Sequence, residues 1–205
     1  RTTVIRRLAS DVHYLWRVAI VSLLNIVYQT KRLDVENSTK RVFYSVYPQM
    51  FSEDFWETKY GQLLDETDTL AVSILTDGMH QKVSLREYRL FLQQAEQKNL
   101  VVIDRHLKIA DGLAGIWWLL RSILFLFGSR NERFSFKDID ISGLIRIELL
   151  YSMSRITRLC SLMGAFGRYF RCTLPKELIF YPFEYPFGRM ISYIAGLNSP
   201  TTSRI

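Results

Sequence analysis

Hydrophobic and polar positions follow two rhythms along this chain. Four short runs are apolar at consecutive positions and rich in β-branched and aromatic residues: "RVFYSVYP" (41–48), "TLAVSILT" (69–76), "LVVID" (100–104) and "ELIFYPF" (177–183). Each reads as a strand, closed by Pro48, Asp77-Gly78, Asp104 and Pro182 respectively. Between them the apolar residues recur at helical spacing. Residues 12–28 read as a mostly apolar helix. Ser84 and Glu87 spell a capping box, and Leu85, Tyr88, Leu92 and Ala95 share one face of a helix over 84–98. A Trp-rich helix is predicted over 109–127. Another opens near Asp140, repeats apolar residues at 141, 145, 149 and 153, and continues through "TRLCSLMGAFGRYF" after a bend. "RMISYIAGL" is a short final helix. "KRLDVENSTKR" is a polar connector, and "SEDFWETKYGQLLDETD" is a loop running into a short helix.

Strands that are apolar on both faces and alternate with helices predict a parallel sheet covered on both sides. The expected architecture is α/β: an N-terminal helix and connector over 1–40, then a Rossmann-like domain with a helical insertion over 41–205. The 205 residues, 48% of them hydrophobic, are enough for a substantial core. The chain opens on Arg1 and stops soon after a helical pattern, so a fragment of a longer protein is expected.

Charge changes this picture only in part. The formal net charge is +7. Much of the excess lies in 141–176, where Arg146, Arg155, Arg158, Arg168, Arg171 and Lys176 face Glu148 as the one acid. Such a helical surface suits anionic headgroups or phosphorylated substrates as well as it suits DNA. There is no helix-turn-helix signature, zinc spacing or RNA-binding aromatic motif, so no nucleic-acid partner is expected. Cys160 and Cys172 would lie about 18 Å apart on a continuous helix, too far for a disulfide, which suits a reducing, cytosolic location. The Trp-rich segment has spanning length but carries Asp111 and Arg121. Its position between predicted strands favours a buried helix. The alternative is an interfacial helix with Trp117 and Trp118 at headgroup depth.

In an open parallel sheet, ligands bind outside the carboxyl ends of the strands. Those ends carry Tyr47; Asp77, with His80 just beyond; Asp104-Arg105-His106; and Glu184. Glu184 sits between Pro182 and Pro186 with aromatics on both sides, and such a carboxylate needs a partner or water. Asp77 in T-D-G also suits a plain turn, and Asp104 could simply pair with Arg105. His106 and Asp111 form an H-x4-D, a pairing that lipid acyltransferases use as base and orienting acid. Asp138-Ile139-Asp140 is a D-x-D, better explained by Asp140 capping a helix than by metal binding. No G-x-G-x-x-G, P-loop or Cys/His cluster is present, so no cofactor or metal is expected.

Two segments carry a family resemblance. Tyr60, Gly61 and Leu63 match a "Y-G-x-L" segment after an aromatic strand; Tyr181, Pro182, Phe183, Glu184 and Pro186 match a later "Y-P-F-E-N-x-P-W-E". Tyr185, Phe187 and Gly188 depart from that second pattern. Over roughly 42–196 the chain resembles bacterial surface-carbohydrate biosynthesis proteins with a GT-B-like glycosyltransferase fold, of which it would be the N-terminal half. The resemblance implies an acceptor-side domain, with the nucleotide-sugar donor held by a following domain and a carbohydrate or lipid-linked acceptor. It implies no metal, because helix dipoles and basic side chains neutralise the leaving diphosphate. Glu184, His106 or Asp104 would serve as base; Tyr47, Tyr60, Gly61, Asp77, His80, Arg105, Tyr181 and Phe183 would line the substrate site. A peripheral contact with the inner face of the cell membrane is expected, through the basic helices and Trp117-Trp118. A membrane-associated acyltransferase using His106 and Asp111, and a non-catalytic binding module, remain as alternatives.

Overall fold

A computed structural model describes residues 2–27, 41–46, 50–52, 54, 56–75, 85–97, 100–180, 185–198 and 203–204. Among these, five strands form a parallel sheet: β1 (Arg41–Val46), β2 (Thr69–Ser73), β3 (Val101–Val102), β6 (Glu177–Phe180) and the two-residue β7 (Ser203–Arg204). Their order is β3-β2-β1-β6-β7. The chain thus works outward from β1 to one edge, crosses back, and continues from β1 to the other edge. This α/β topology is compatible with a Rossmann-like arrangement. The crossover is long and helical: α3 (Ile109–Gly128), a hairpin of β4 (Ser135–Phe136) and β5 (Ile139–Asp140), then α4 (Ser142–Thr173).

Parallel register sets the faces. Val42, Tyr44 and Val46 share one side of β1; Phe43 and Ser45 share the other. Tyr44 packs edge-on against Phe166 of α4 and beside Phe187 of α5 (Tyr185–Asn198). Phe43 packs on Tyr60, from the segment joining β1 to β2. The central strands are covered on both sides, which is why they read as unbroken apolar runs.

Several elements depart from the sequence expectation. α1 (Thr2–Val27) starts ten residues earlier than predicted, and its Tyr14, Leu15, Val18 and Val21 are buried in the common core. The N-terminal helix is therefore part of the same packed unit as the sheet. The 56–68 segment holds turns and no helix. α2 (Leu85–Gln97) forms as predicted, although Ser84 of the capping box lies outside the described residues. The third strand shrinks to Val101–Val102 because residues 103–106 tighten into a 3₁₀ turn. Residues 142–173 form one helix of 32 residues, ending at Leu174 in the left-handed conformation before Pro175.

The Trp-rich helix forms at the predicted place, but the expectation that it is buried fails: only 22% of its apolar window is covered. Its inward face carries Asp111, Gly112, Gly115 and Leu119. The basic face expected on 141–176 is also partly internal. Arg158 is buried against α1, where it pairs with Asp11 at 3.7 Å and donates to Ser10 Oγ at 3.1 Å. Ser154 donates to the same Asp11 carboxylate at 2.7 Å. Arg168 turns towards α3, where its guanidinium pairs with Asp111.

That last contact explains Gly164. A Cβ at this position would lie 2.0 Å from Asp111 Oδ1. The carboxylate cannot swing away freely, because it also accepts the Lys108 amide at 2.7 Å and the Arg168 guanidinium. Gly164→Ala should therefore force α3 and α4 apart and cost roughly 1–3 kcal/mol, as overpacking does. Denaturant unfolding of the two proteins measures this; equal midpoints would show that the helices do not meet there.

Candidate functional site at the carboxyl edge of the sheet

The strand order reverses at β1 and β6; Tyr60, after β1, packs on one face of β1, and Phe187 of α5, after β6, packs on the other. A crevice at the carboxyl ends of such a pair is where doubly wound sheets hold ligands. β1 contributes Ser45 and Val46 to this edge, β2 contributes Ser73, and β3 leads into Asp104.

Asp104 is fully buried. Its carboxylate accepts the Ile74 amide at 2.8 Å and the Leu75 amide at 2.9 Å, so it fastens the chain leaving β2 to the turn after β3. Burial raises its pKa above the ordinary carboxylate range, and the two amides only partly oppose this. Around it lie three buried phenols. Burial and the nearby Asp104 charge push the Tyr44 and Tyr88 pKa values well up. Tyr14 of α1 donates to Leu75 O at 3.2 Å. The 3₁₀ turn is tied from two further directions. Asn25 of α1 donates to Asp104 O at 2.8 Å and Leu107 O at 3.2 Å; Arg168 of α4 donates to His106 O at 2.7 Å. Asp104 is therefore a positioning group, shut away from solvent.

His106 is half-buried, with its ring 5.8 Å from that of Tyr169. Burial lowers its pKa to about 4, helped by the positive charges of Arg168 and Arg105. It is neutral at physiological pH, and a base this weak is poorly matched to deprotonating a hydroxyl near pH 7. The H-x4-D pairing does not form a dyad here, because the Asp111 carboxylate is engaged by Arg168 and by the amide of Lys108. Arg105, next in the same turn, reaches Leu92 O of α2 at 3.5 Å.

Tyr60 and Gly61 lie across β1 from this cluster. What holds them is Glu57, which the sequence reading passed over. Its buried carboxylate accepts Ser45 Oγ at 3.0 Å and the Lys59 amide at 2.9 Å, and the Tyr60 amide as well. Gly61 is required by close approach: a Cβ would meet Glu57 O at 2.5 Å and the Trp56 ring at 2.6 Å. Its signal in the sequence is an acid three residues before Tyr60, in a segment whose composition is that of a polar loop. The "Y-G" pair thus has a structural reason independent of any ligand.

Asp104, Arg105 and His106 are brought together in one turn. Tyr60 and Gly61 stand apart on the other face of β1. Tyr47, Asp77, His80, Tyr181, Phe183 and Glu184 lie outside the described residues. Of the D-x-D, Asp138 occupies the hairpin turn, and Asp140 accepts the Ser142 amide at 2.8 Å at the start of α4. Among the described residues no group of three or more metal-ligating side chains gathers. A shallow cleft of about 350 Å³ opens at the opposite, amino edge between Arg41, Asp65, Thr67, Asp68, Lys176 and Glu177. Arg41 spans it, donating to both Asp68 oxygens at 3.0 and 2.7 Å and pairing with Asp65. Those ion pairs account for its polarity.

A depressed histidine pKa makes stability acid-sensitive. His106 binds its proton more readily in the unfolded chain, so its contribution is complete above about pH 6.5 and is lost as pH falls towards 4. Asp104, with a raised pKa, works in the opposite sense: its contribution is complete below the ordinary carboxylate range and is lost as pH rises through its folded value. Comparing His106→Gln with the native chain isolates the histidine. The native protein should lose on the order of 2–3 kcal/mol more than the variant between pH 7.5 and 4, in urea titrations at each pH. Parallel pH profiles would place His106 in solvent. No family model, curated protein or solved structure matches this chain, and the site is read from its own chemistry.

Proposed function

We propose that this chain is the acceptor-side domain of a cytoplasmic glycosyltransferase that passes a sugar from a nucleotide donor to a cell-surface polysaccharide or a lipid-linked acceptor. One observation carries the reading. The "Y-P-F-E" motif follows β6 directly in sequence, and β6 is the strand beside β1 at the reversal of strand order. A carboxylate delivered to that crevice would be placed to take a proton from an acceptor hydroxyl. The chemistry of the neighbouring turn supports Glu184 as the base over the two other candidates. Asp104 is sealed and spent on two amides, and His106 is too weak a base. Glu184 is left as the proton acceptor, with Tyr47, Tyr181, Phe183, Asp77, His80 and Arg105 as groups that hold the acceptor. The nucleotide sugar would be bound by a second domain in the longer protein.

The test uses the full-length protein. A thermal-shift panel of UDP-, GDP-, CDP- and dTDP-sugars should show stabilisation by at least one donor. With that donor, Glu184→Gln should keep the shift and lower turnover by at least about 100-fold, the scale of a lost acid–base group. If no nucleotide sugar shifts the protein, the reading gives way to a non-catalytic binding module. If Glu184→Gln turns over normally, Glu184 leaves the site.

A further inference from the structure

α3 is amphipathic in the reverse sense of a water-soluble surface helix. Its packing face carries Asp111, Gly112 and Gly115, with Leu119 as the large apolar residue. Its outer face carries Ile109, Leu113, Ile116, Trp117, Leu120, Leu124 and Phe127, each at least 43% exposed. Those positions recur at i, i+4, i+7, i+8, i+11, i+15 and i+18. They form one stripe along all 20 residues, about 30 Å at 1.5 Å per residue. α1 also leaves Ile5, Val12, Trp16 and Leu23 exposed, although its inner face buries Tyr14, Leu15, Val18 and Val21 along with Asp11 and Ser22. The β4–β5 hairpin after α3 holds Phe136 and Ile139 out at 61% and 66% exposure. Its two-residue turn has positive φ at Lys137 and Asp138, a conformation that usually calls for Asn or Gly.

Cations border this surface. Between 108 and 140 the chain carries Lys108, Arg121, Arg130, Arg133 and Lys137. The acids there are Glu132, the buried, paired Asp111, and Asp138 and Asp140 of the hairpin. Arg121 lies over the Trp118 ring at 5.3 Å, and Lys137 over Phe136 at 5.6 Å. A long apolar face flanked by Trp and snorkelling Arg or Lys fits the acyl–headgroup boundary of an anionic bilayer.

We infer that α3 lies in the plane of a membrane containing anionic lipid, with its Ile109–Phe127 stripe in the acyl boundary. α3 has the length and hydropathy to cross a bilayer. Its inner face argues for lying flat. Asp111 is tied to Arg168 of α4, and the turn before α3 is clamped into the sheet core by Asn25 and Arg168. Crossing would drag that polar clamp into hydrocarbon. This attachment is independent of the transfer reaction and holds or fails without it.

The experiment is sedimentation of the full chain with phosphatidylcholine vesicles, with and without phosphatidylglycerol, alongside Trp fluorescence. The expected result is binding to the anionic vesicles with a blue shift of Trp emission. Leu120→Asp/Leu124→Asp should weaken binding at least about 10-fold, since a charge is costly in the acyl boundary. Arg130→Gln/Arg133→Gln should weaken it about 5-fold per lost cation where that cation faces the headgroups. Circular dichroism and melting temperatures identify variants that fail to fold; for these, the native chain's loss of binding on raising salt supplies the second measurement. Absence of binding to anionic vesicles overturns the proposal, and so does unchanged binding by the folded leucine variants. Self-association through the same leucines without vesicle binding would mark the stripe as an interface between copies. Retention in the membrane after alkaline carbonate washing would mark a spanning helix.

Discussion

The carboxylate of Asp104 is the constraint on which the rest of this fold depends. A charge with no exposure to water is tolerable only with fixed donors around it. Here two consecutive amides, Ile74 and Leu75, supply them. The pKa of Asp104 is still raised, so desolvation outweighs the two bonds and the carboxylate gains little for its own sake. Its effect is on the backbone. Without this acceptor two buried N–H groups would be left unpaired, at a cost of about 1–3 kcal/mol each. The end of β2 and the turn after β3 are therefore held together, and the start of α3 is fixed by the same turn.

α4 completes that frame by meeting two helices through buried ion pairs. Arg158 reaches Asp11 in α1, and Arg168 reaches Asp111 in α3. Such pairs add little net stability compared with apolar contacts of the same shape, but a lone partner left behind is severely unfavourable. The pairs therefore restrict which way each helix can face. Arg168 also donates to His106 O, so one side chain orients α3 and steadies the turn bearing the histidine. The consequence is a neutral imidazole, since burial opposes its protonation and the charges of Arg168 and Arg105 add to that. Catalytic potential in this turn is thus reduced by the same contacts that give it a defined shape.

What was legible in the sequence follows the range of the forces involved. β1, β2 and β6 announced themselves because a strand buried on both faces must be continuously apolar, and α2 because its spacing is local. The burial of α3 could not be read that way. Hydropathy reports how apolar a helix is, whereas the placement of Gly112, Gly115 and Asp111 on one face decides which side packs, and that depends on α4. The 3₁₀ turn at 103–106 was hidden because "LVVID" has strand composition, and the contacts that hold the bend come from far along the chain, from Ile74, Leu75, Asn25 and Arg168. Glu57 was hidden for a similar reason: its partner Ser45 lies on β1, across a loop that looked merely polar. At the candidate site, the cluster at Asp104-Arg105-His106 was visible as a group of ionisable residues after a strand. The division of labour within it was not, since burial and hydrogen bonding set the roles.

The exposed apolar stripes of α3 and α1 extend this reasoning to the molecule's surroundings. In water, a surface helix turns its polar face outward, and an exposed run such as Leu120, Leu124 and Phe127 is a liability. Here the inner face has already met its polar needs, through Asp111 with Arg168 in α3 and Asp11 with Arg158 and Ser154 in α1. Rotating either helix to bury its apolar stripe would break those pairs, and in α1 it would also withdraw Tyr14, Leu15, Val18 and Val21 from the core. The present orientation is therefore fixed from within, by buried ions, while the outer surface is left to find an apolar environment outside the chain. A scaffold built this way holds its sheet edge at a set orientation to whatever receives the stripe. Under the acceptor-side role proposed above, that orientation would matter more than affinity for any single headgroup.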